Sequence, residues 1–530
     1  MIKVELQKNN GFKWFSSKEI YFKGFFWDSS NRLYKNDEAL VVFENITDQK
    51  SLRQRLKELN GSFCLIIQRP EKTFLVSDII RTFPLFYRKT NDGFQISDNA
   101  YALKIPDDKI NFLSFSEYEG TGFVFQNRTL IEKIYQTQAG QIVELTDQKF
   151  EVKDYYDYLT LSCISAPYDV VYKQAEEVIL DAFHRFVKSL EGRMVVICLS
   201  SGYDSRLIAC MLKYFDYRKV LCITYGKKNN NPEIITSKKV AGILGFNWEF
   251  VEYNDQLIND YFASQQFNEY YKYSGNFSSM FMMHEYFAVQ YLKENRLIDD
   301  DAIFVAGHSG DFLAGSQISK LPIKKNIKRD AIADLLYEDK MIYQYHRPAF
   351  KKEIKKALEN EIGGIFDRDR RYLGYSVVEN WDMKEKLSKF IANSSTVFDF
   401  WGYEFRLPFW DRQLTDFFRI VPYELKLNKI LYISLLKQNF FKNYQLNFSK
   451  ENYASPLEMR LQFFKKRIKK HLPYNIVQLF TKQIDYHNYR LICKPMLAEL
   501  SMYKKISLEN TQYLNSVLIQ WYLHKITNNK

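Results

Sequence analysis

The segment Leu199-Ser200-Ser201-Gly202-Tyr203-Asp204-Ser205 has the residue types and spacing to hold an anion. It follows an unbroken apolar run, Met194–Leu199, of strand length, and it leads into Ser205–Tyr214, where Leu207, Ile208, Met211 and Leu212 share one helical face. Such a run reads as a parallel strand buried on both faces. A loop between that strand and the next helix sits at the carboxyl end of the strand, where α/β sheets bind ligands. Small residues let backbone N–H groups gather around an anion, and the helix start adds a favourable dipole. The Ser200 and Ser205 hydroxyls can donate further hydrogen bonds. Asp204 would repel a phosphate unless a Mg²⁺ ion lay between them. The G-x-x-x-x-G-K-[ST] loop of kinases and GTPases is absent from the chain. By itself the segment could equally be a serine-rich turn that caps an ordinary helix.

The elements around the loop give it a setting. Val220–Thr224 reads as a second strand, Glu233–Leu244 as a helix stopped by Gly245, Trp248–Val251 as a third strand and Ala302–Ala306 as a fourth, after a helix near Phe281–Asn295. Strands and helices alternating at this spacing predict a parallel α/β sheet with crossover connections. Beyond residue 320 the pattern is mainly helical. Residues 1 to about 150 read instead as strands and turns. Phe63–Gln68, Thr73–Ser77 and Phe94–Ser97 are strand-like runs bounded by Asn60-Gly61, Arg69-Pro70 and Asn91-Asp92-Gly93. Leu130–Val152 continues the β-rich part, with a turn at Ala139-Gly140, and residues 154–169 read as a linker.

A length of 530 residues calls for two domains, and 46% hydrophobic with 26% charged residues describes a folded protein rather than a disordered one. Without an apolar stretch of about 18 residues or a secretion signal, a cytoplasmic protein is expected. Cys64, Cys163, Cys198, Cys210, Cys222 and Cys493 form no C-x-x-C pair, which fits buried reduced thiols; the histidines show no H-E-x-x-H spacing, and zinc is not expected. The net charge of +12 accompanies a general enrichment in Lys, Asn, Phe, Tyr and Ile. The densest basic segment, Phe463–His471, therefore reads as a solvated helix face, and nucleic acid is not the expected partner.

The Leu199–Ser205 segment resembles the S-G-G-x-D-S pyrophosphate loop of the N-type ATP pyrophosphatases, with Ser201 in place of the first glycine. Further segments, in the same order, resemble the asparagine synthetases among them. Ala306-Gly307-His308-Ser309-Gly310-Asp311 is similar to the S-G-E-G-A-D element, with His308 for its glutamate and Phe312 for another acid. Glu404 to Asp411 resembles E-A-R-V-P-F-L-D, and Lys450 to Pro456 resembles the stretch that carries a triphosphate-neutralising lysine. Leu59-Asn60-Gly61-Ser62-Phe63, Ser77-Asp78, Arg81 and Pro84–Tyr87 resemble the glutaminase domain of that family. The resemblance runs from about residue 55 to residue 456. It implies an α/β protein with two domains. Residues 1–153 would be a β-rich, Ntn-hydrolase-like remnant of a class II glutamine amidotransferase. Residues 170–530 would be a parallel-sheet synthetase domain, similar to the adenine nucleotide α hydrolases, with a mainly helical C-terminal part.

The same resemblance implies ATP and Mg²⁺ as cofactors. Leu199, Ser200, Ser201, Gly202, Tyr203, Asp204 and Ser205 would hold the pyrophosphate, Ala306 and Gly307 would border the adenosine, Asp204 and Asp311 would hold Mg²⁺, and Lys450 would offset charge, with Glu404 as candidate general base. The expected reaction is adenylation of a small-molecule or sugar carboxylate, release of pyrophosphate, and amide formation. Class II glutaminases use an N-terminal cysteine with its own α-amine as base; here Ile2 follows Met1 and no cysteine precedes Cys64. Glutamine hydrolysis by the chain itself is therefore not expected. The nitrogen would come from ammonia, a separate amidotransferase or an amine on the substrate. The last route resembles the β-lactam synthetases and lasso-peptide cyclases. The rival readings are an RNA-modifying adenylase and a non-catalytic ATP-binding protein; self-association as a homodimer is left open.

Overall fold

A computed structural model describes the chain apart from residues 1, 148, 230, 321–322, 344–349, 449–457, 459–460, 463, 466–467, 469–484, 503–512 and 529–530. The first part is built from β1 (Ile2–Glu5), β2 (Trp14–Ser16), β3 (Ile20–Trp27), β4 (Leu33–Lys35), β5 (Asn60–Arg69) and β6 (Lys72–Ser77). They are joined by β7 (Phe86–Thr90), β8 (Gly93–Ser97), β9 (Ile134–Gln136), β10 (Gln141–Leu145) and β11 (Phe150–Asp154). One sheet has the order β1-β8-β7-β9; the other runs β11-β10-β6-β5-β3-β2, with β4 on β3. Three helices that the strand-rich reading of this part passed over, α1 (Asn36–Val41), α2 (Gln49–Lys57) and α3 (Phe112–Thr121), cover its faces. α2 puts only Leu52 and Leu56, one turn apart, into the core, which leaves a weak apolar signal.

Two boundary signals read differently in the structure. Asn60 and Gly61 are not a turn but the start of β5. Gly61 is needed because a Cβ there would lie 2.3 Å from the Phe25 carbonyl oxygen of β3. Residues 154–169 are not an exposed linker either: Tyr155, Tyr156, Tyr158 and Leu159 are buried. The Tyr155 hydroxyl donates to the Ser77 carbonyl (2.9 Å), and the Tyr158 N–H to the Asn380 side chain (2.8 Å). This segment then enters α4 (Tyr168–Lys188), whose Val171, Ala175, Ile179, Ala182 and Phe186 form one buried stripe.

The second part contains β12 (Val195–Cys198), α5 (Tyr203–Tyr214), β13 (Val220–Gly226), α6 (Pro232–Leu244), β14 (Asn247–Glu252), β15 (Ile303–Ala306) and β16 (Glu404–Arg406). Its sheet has the order β14-β13-β12-β15-β16, and all its pairs are parallel. β12 and β15, at its centre, are buried at every position, as their unbroken apolar runs require. Gly245 ends α6 in the left-handed region, at φ +73°, as expected. Among the described residues after 320 the chain is mainly helical, with β16 as a strand at the sheet edge. Among the described residues no helix is long and apolar enough to cross a membrane, and all six cysteines are free.

Asp411 joins the two parts. Its carboxylate accepts a bidentate pair from Arg185 of α4 (2.7 and 2.9 Å) and a third bond from the Asn60 amide of β5 (2.8 Å). Asn60 in turn accepts the Arg412 N–H at 2.8 Å. Both ionic side chains are buried, so removing one leaves the other charge desolvated and unpaired. Asp411→Ala is expected to destabilise the chain by roughly 3–5 kcal/mol in equilibrium denaturation. A loss below about 1 kcal/mol, the range of exposed pairs, would show that the junction tolerates the orphaned arginine.

Candidate active site

β12 and β15 are neighbours in register, with Cys198 opposite Ala306. The chain therefore leaves the sheet at two adjacent points, through Leu199–Gly202 and through Gly307–Ser309. The loops meet at Gly307, where a Cβ would lie 2.4 Å from the Ser205 Cβ and 2.7 Å from the Ser205 nitrogen. Only glycine lets the β15 loop pass this close to the first turn of α5.

The first loop is held by its own serines. Ser205 Oγ accepts the Ser200 N–H (3.1 Å) and Ser200 Oγ accepts the Gly202 N–H (3.1 Å), with the two hydroxyls 3.1 Å apart. Arg206, which sequence reasoning missed, braces the loop from below. Its guanidinium donates to the Ser201 carbonyl (2.8 Å) and the Leu446 carbonyl (2.9 Å). It also lies against the rings of Tyr203, Phe441 and Phe448.

Asp204 is in the first turn of α5 and is buried. Its Oδ2 accepts the Asp311 N–H at 2.9 Å, and its Oδ1 accepts the Tyr432 hydroxyl at 3.1 Å. Gly310 makes room for this contact, since a Cβ there would sit 2.7 Å from both Asp204 Oδ1 and the Tyr432 hydroxyl. Burial, then the neighbouring Asp311 charge, push the Asp204 carboxyl up to about 7, against the pull of its two hydrogen bonds and of Lys429. The structure thus brings Asp204 and Asp311 together.

These residues border a cleft with about 1050 Å³ of empty volume, part of it open to solvent. Its walls include Gly202, Asp204, Gly307, His308 and Asp311, and also Lys386, Lys429 and Tyr432, which sequence reasoning did not single out. Lys386 comes from a π-helical stretch, Met383–Ile391. Two of its lining residues, Ser309 (φ +80°) and Lys429 (+59°), occupy the left-handed region without being glycine. Burial pulls the His308 imidazole down to about 4, so it is neutral near pH 7; its Nδ1 lies 3.0 Å from Ser309 Oγ.

Glu404 is not part of this cleft. It begins β16, opposite Ile303, at the amino end of the parallel strands, whereas the cleft lies at their carboxyl ends. Arg193 (2.7 Å) and Arg406 (2.9 Å) clamp its carboxylate. Although burial opposes ionisation, the Arg406 and Arg193 charges hold the group down to about 2. A carboxylate this acidic and this engaged is an ion-pair anchor for the sheet edge, which corrects its assignment as the general base. Lys450, with the segment through Pro456, lies outside the described residues.

The asparagine synthase family model matches residues 176–444, just over half of the chain. The match takes in the loop, Asp204, Asp311, Lys386, Lys429 and Tyr432. A curated relative, the microcin J25-processing protein McjC of Escherichia coli, is 21% identical over 285 residues, 52% of this chain and 51% of that protein. The chain thus spans about half the length of this relative. Among solved structures, the NH3-dependent NAD synthetase of Campylobacter jejuni is similar at 13% identity and a TM-score of 0.22, covering 40% of this chain and 92% of that one. A glutamine phosphoribosylpyrophosphate amidotransferase from B. subtilis is similar at 8% identity and a TM-score of 0.18, over 57% of this chain and 64% of that one. With its loop, its glycine-mediated strand contact and its acidic pair all inside the matched stretch, the chain belongs to the asparagine synthase family.

Proposed function

We propose that the protein is an ATP-dependent ligase that adenylates a carboxylate, releases pyrophosphate, and forms an amide with an amine or ammonia. The observation that carries this reading is the buried Asp204 joined to Asp311 beside a serine-rich loop at the carboxyl ends of β12 and β15. Two hard carboxylates at the mouth of an anion-binding loop fit Mg²⁺, which is commonly held by one or two carboxylates together with substrate phosphates. Among the described residues no group of three or more His, Cys, Asp and Glu could hold a metal ion, so phosphate oxygens would complete the set. Bound there, Mg²⁺ would neutralise triphosphate charge.

The chain's own residues do the rest. Ser200 to Ser205 hold the β and γ phosphates with backbone N–H and hydroxyl groups. A substrate carboxylate oxygen attacks the α-phosphorus; the bond from that phosphorus to the bridging oxygen breaks, and pyrophosphate leaves. Lys450 offsets the charge on the leaving group. The amine nitrogen then attacks the acyl carbon, AMP departs, and the neutral His308 imidazole, already in the cleft, takes over from Glu404 as the candidate acceptor of the amine's proton.

The nitrogen comes from outside the N-terminal sheets. Cys64, the one cysteine in residues 1–153, lies inside β5, and burial raises its thiol well above the ordinary range. A processing role, as the name of the McjC relative states, favours a preformed substrate that carries its own amine over free aspartate and ammonia.

The test is pyrophosphate release from Mg·ATP with aspartate, a sugar-acid panel and acidic peptides, with ammonium or glutamine added. Wild type is expected to form AMP and pyrophosphate without a glutamine requirement, and Asp204→Ala to lose at least about a hundredfold, the scale of a lost transition-state contact. Formation of ADP and phosphate would sink the adenylation step. Release driven by glutamine would restore a working glutaminase.

A second expectation follows from the raised Asp204 carboxyl. Its folded value, about 7, lies above the ordinary 3.8, so its contribution to stability is full below about pH 4 and is lost as pH rises through 7. Mg²⁺ binds the deprotonated form. The rise in melting temperature produced by Mg·ATP should therefore be larger at pH 8 than at pH 6, and Asp204→Asn should remove that difference. An equal rise at both pH values would mean that Asp204 does not meet the ion.

A further inference from the structure

The π-helix Met383–Ile391 has different neighbours on its two sides. Lys386, Leu387 and Ile391 line the cleft. Glu385 and Lys389 point the other way and pair at 2.7 Å with no exposed side-chain surface. The Lys389 ammonium donates to the carbonyls of Val124 (2.9 Å) and Gln126 (2.7 Å). Glu385 accepts the Gln126 N–H (2.9 Å) and the Gln138 side-chain amide. Gln126 and Gln138 lie between α3 and β10, in the N-terminal part, which no step of the proposed reaction uses. A second ion pair, from Lys384 to Asp154 at 2.7 Å, fastens the same stretch to β11.

Lys386 is therefore bracketed in sequence by residues that the N-terminal part holds on both sides. It is the charged residue of the π-helix that stays partly exposed, while Lys384, Glu385 and Lys389 are buried. The i→i+5 winding is rare, and single turns of it recur at functional sites. In the same cleft lie the Asp204–Asp311 pair and Lys429. An ammonium that shares a cleft with a Mg²⁺-type carboxylate pair and a phosphate-type loop is suited to the terminal phosphates, which take compact point charges well.

We propose that Lys386 is a triphosphate-binding residue that contacts the phosphates leaving as pyrophosphate, and that the N-terminal sheets position it through Gln126, Gln138, Glu385 and Lys389. The proposal rests on the nucleotide reading given above. It assigns the N-terminal part a role in the ligase reaction that needs no glutaminase chemistry.

The test is calorimetric titration of the full chain with Mg·ATP and with AMP, which lacks the β and γ phosphates. Lys386→Met is expected to weaken Mg·ATP binding at least tenfold and to leave AMP within twofold; Lys386→Arg should recover most of the loss. Gln138→Met should weaken Mg·ATP in the same direction, and should add nothing further in the Lys386→Met background, because both changes act through one contact. Thermal unfolding of each variant checks that it is folded. Mg·ATP affinity unchanged in Lys386→Met, or an equal loss for ATP and AMP, would overturn the assignment. Additive losses for Gln138→Met and Lys386→Met would overturn the positioning half. A wild-type chain that binds no Mg·ATP would overturn the nucleotide reading itself, an outcome distinct from either.

Discussion

The site depends on one steric constraint. β12 and β15 leave the sheet side by side, and their loops converge because Gly307 has no side chain to meet Ser205. A Cβ at 2.4 Å from the Ser205 Cβ would drive the β15 loop away from α5. Asp311 would then lose its hold on Asp204, because the joining bond is a backbone N–H whose position follows that loop. Gly310 repeats the constraint one turn on, against the Asp204 carboxylate and the Tyr432 hydroxyl. The acidic pair is thus a product of backbone packing, with the side-chain identities filling places that the two glycines create.

That packing carries energetic costs within the cleft. Asp204 is desolvated beside a second carboxylate, and Ser309 and Lys429 are left-handed without being glycine, each at about 1–3 kcal/mol. Several buried charges elsewhere are paired: Arg185 with Asp411, Arg88 with Asp108, Lys426 with Glu379. Burial raises carboxyls elsewhere too, Glu117 and Glu361 to about 7, but Asp204 is the raised group that lines the cleft, where a cationic cofactor would relieve it. This contrast separates Asp204 from Glu404. Both are largely buried carboxylates, but Glu404 has two arginines and an acidic carboxyl, whereas Asp204 has an acid for its neighbour.

The central sheet was legible in the sequence because parallel strands buried on both faces are continuous apolar runs, and the Val195–Cys198 and Ile303–Ala306 strands are of that kind. The loop was legible because it follows a strand end, and Gly307 and Asp311 because their segment resembles the S-G-E-G-A-D element of the asparagine synthetases. The N-terminal helices were harder to read: α2 buries two residues only, and α1 only Ala39 and Leu40. The Asn60-Gly61 pair misled because its asparagine serves a distant carboxylate and its glycine a close strand contact, neither of which is a turn. Lys386 and Tyr432 had no local signal, since a π-helix and a hydroxyl donor to Asp204 are set by residues far along the chain. Glu404 was misplaced for the opposite reason: a motif fixes residue order but not the end of the sheet at which a side chain stands.

The N-terminal sheets also bear on how the chain holds together. Their contacts with the second part combine packed rings, such as Phe12 and Phe83 on Phe405 and Phe125 on Trp381, with buried polar pairs. Lys23 meets Asp399, whose carboxylate also accepts the Phe12 N–H (2.8 Å) and the Tyr273 hydroxyl. Arg406 lies over Phe25 while donating to Ser189, and Asp411 takes Asn60 together with Arg185. Detaching the sheets would strand donors and acceptors on both sides, and an unpaired buried charge costs more than a lost apolar contact of similar area. A purely apolar interface can erode residue by residue, each loss being small. A network of shared carboxylates cannot, because each deletion orphans a partner. Buried polar groups therefore hold the N-terminal part to the second alongside its packed rings, and the Glu385–Lys389 pair, bonded to Val124 and Gln126, is a further contact of this kind at the π-helix.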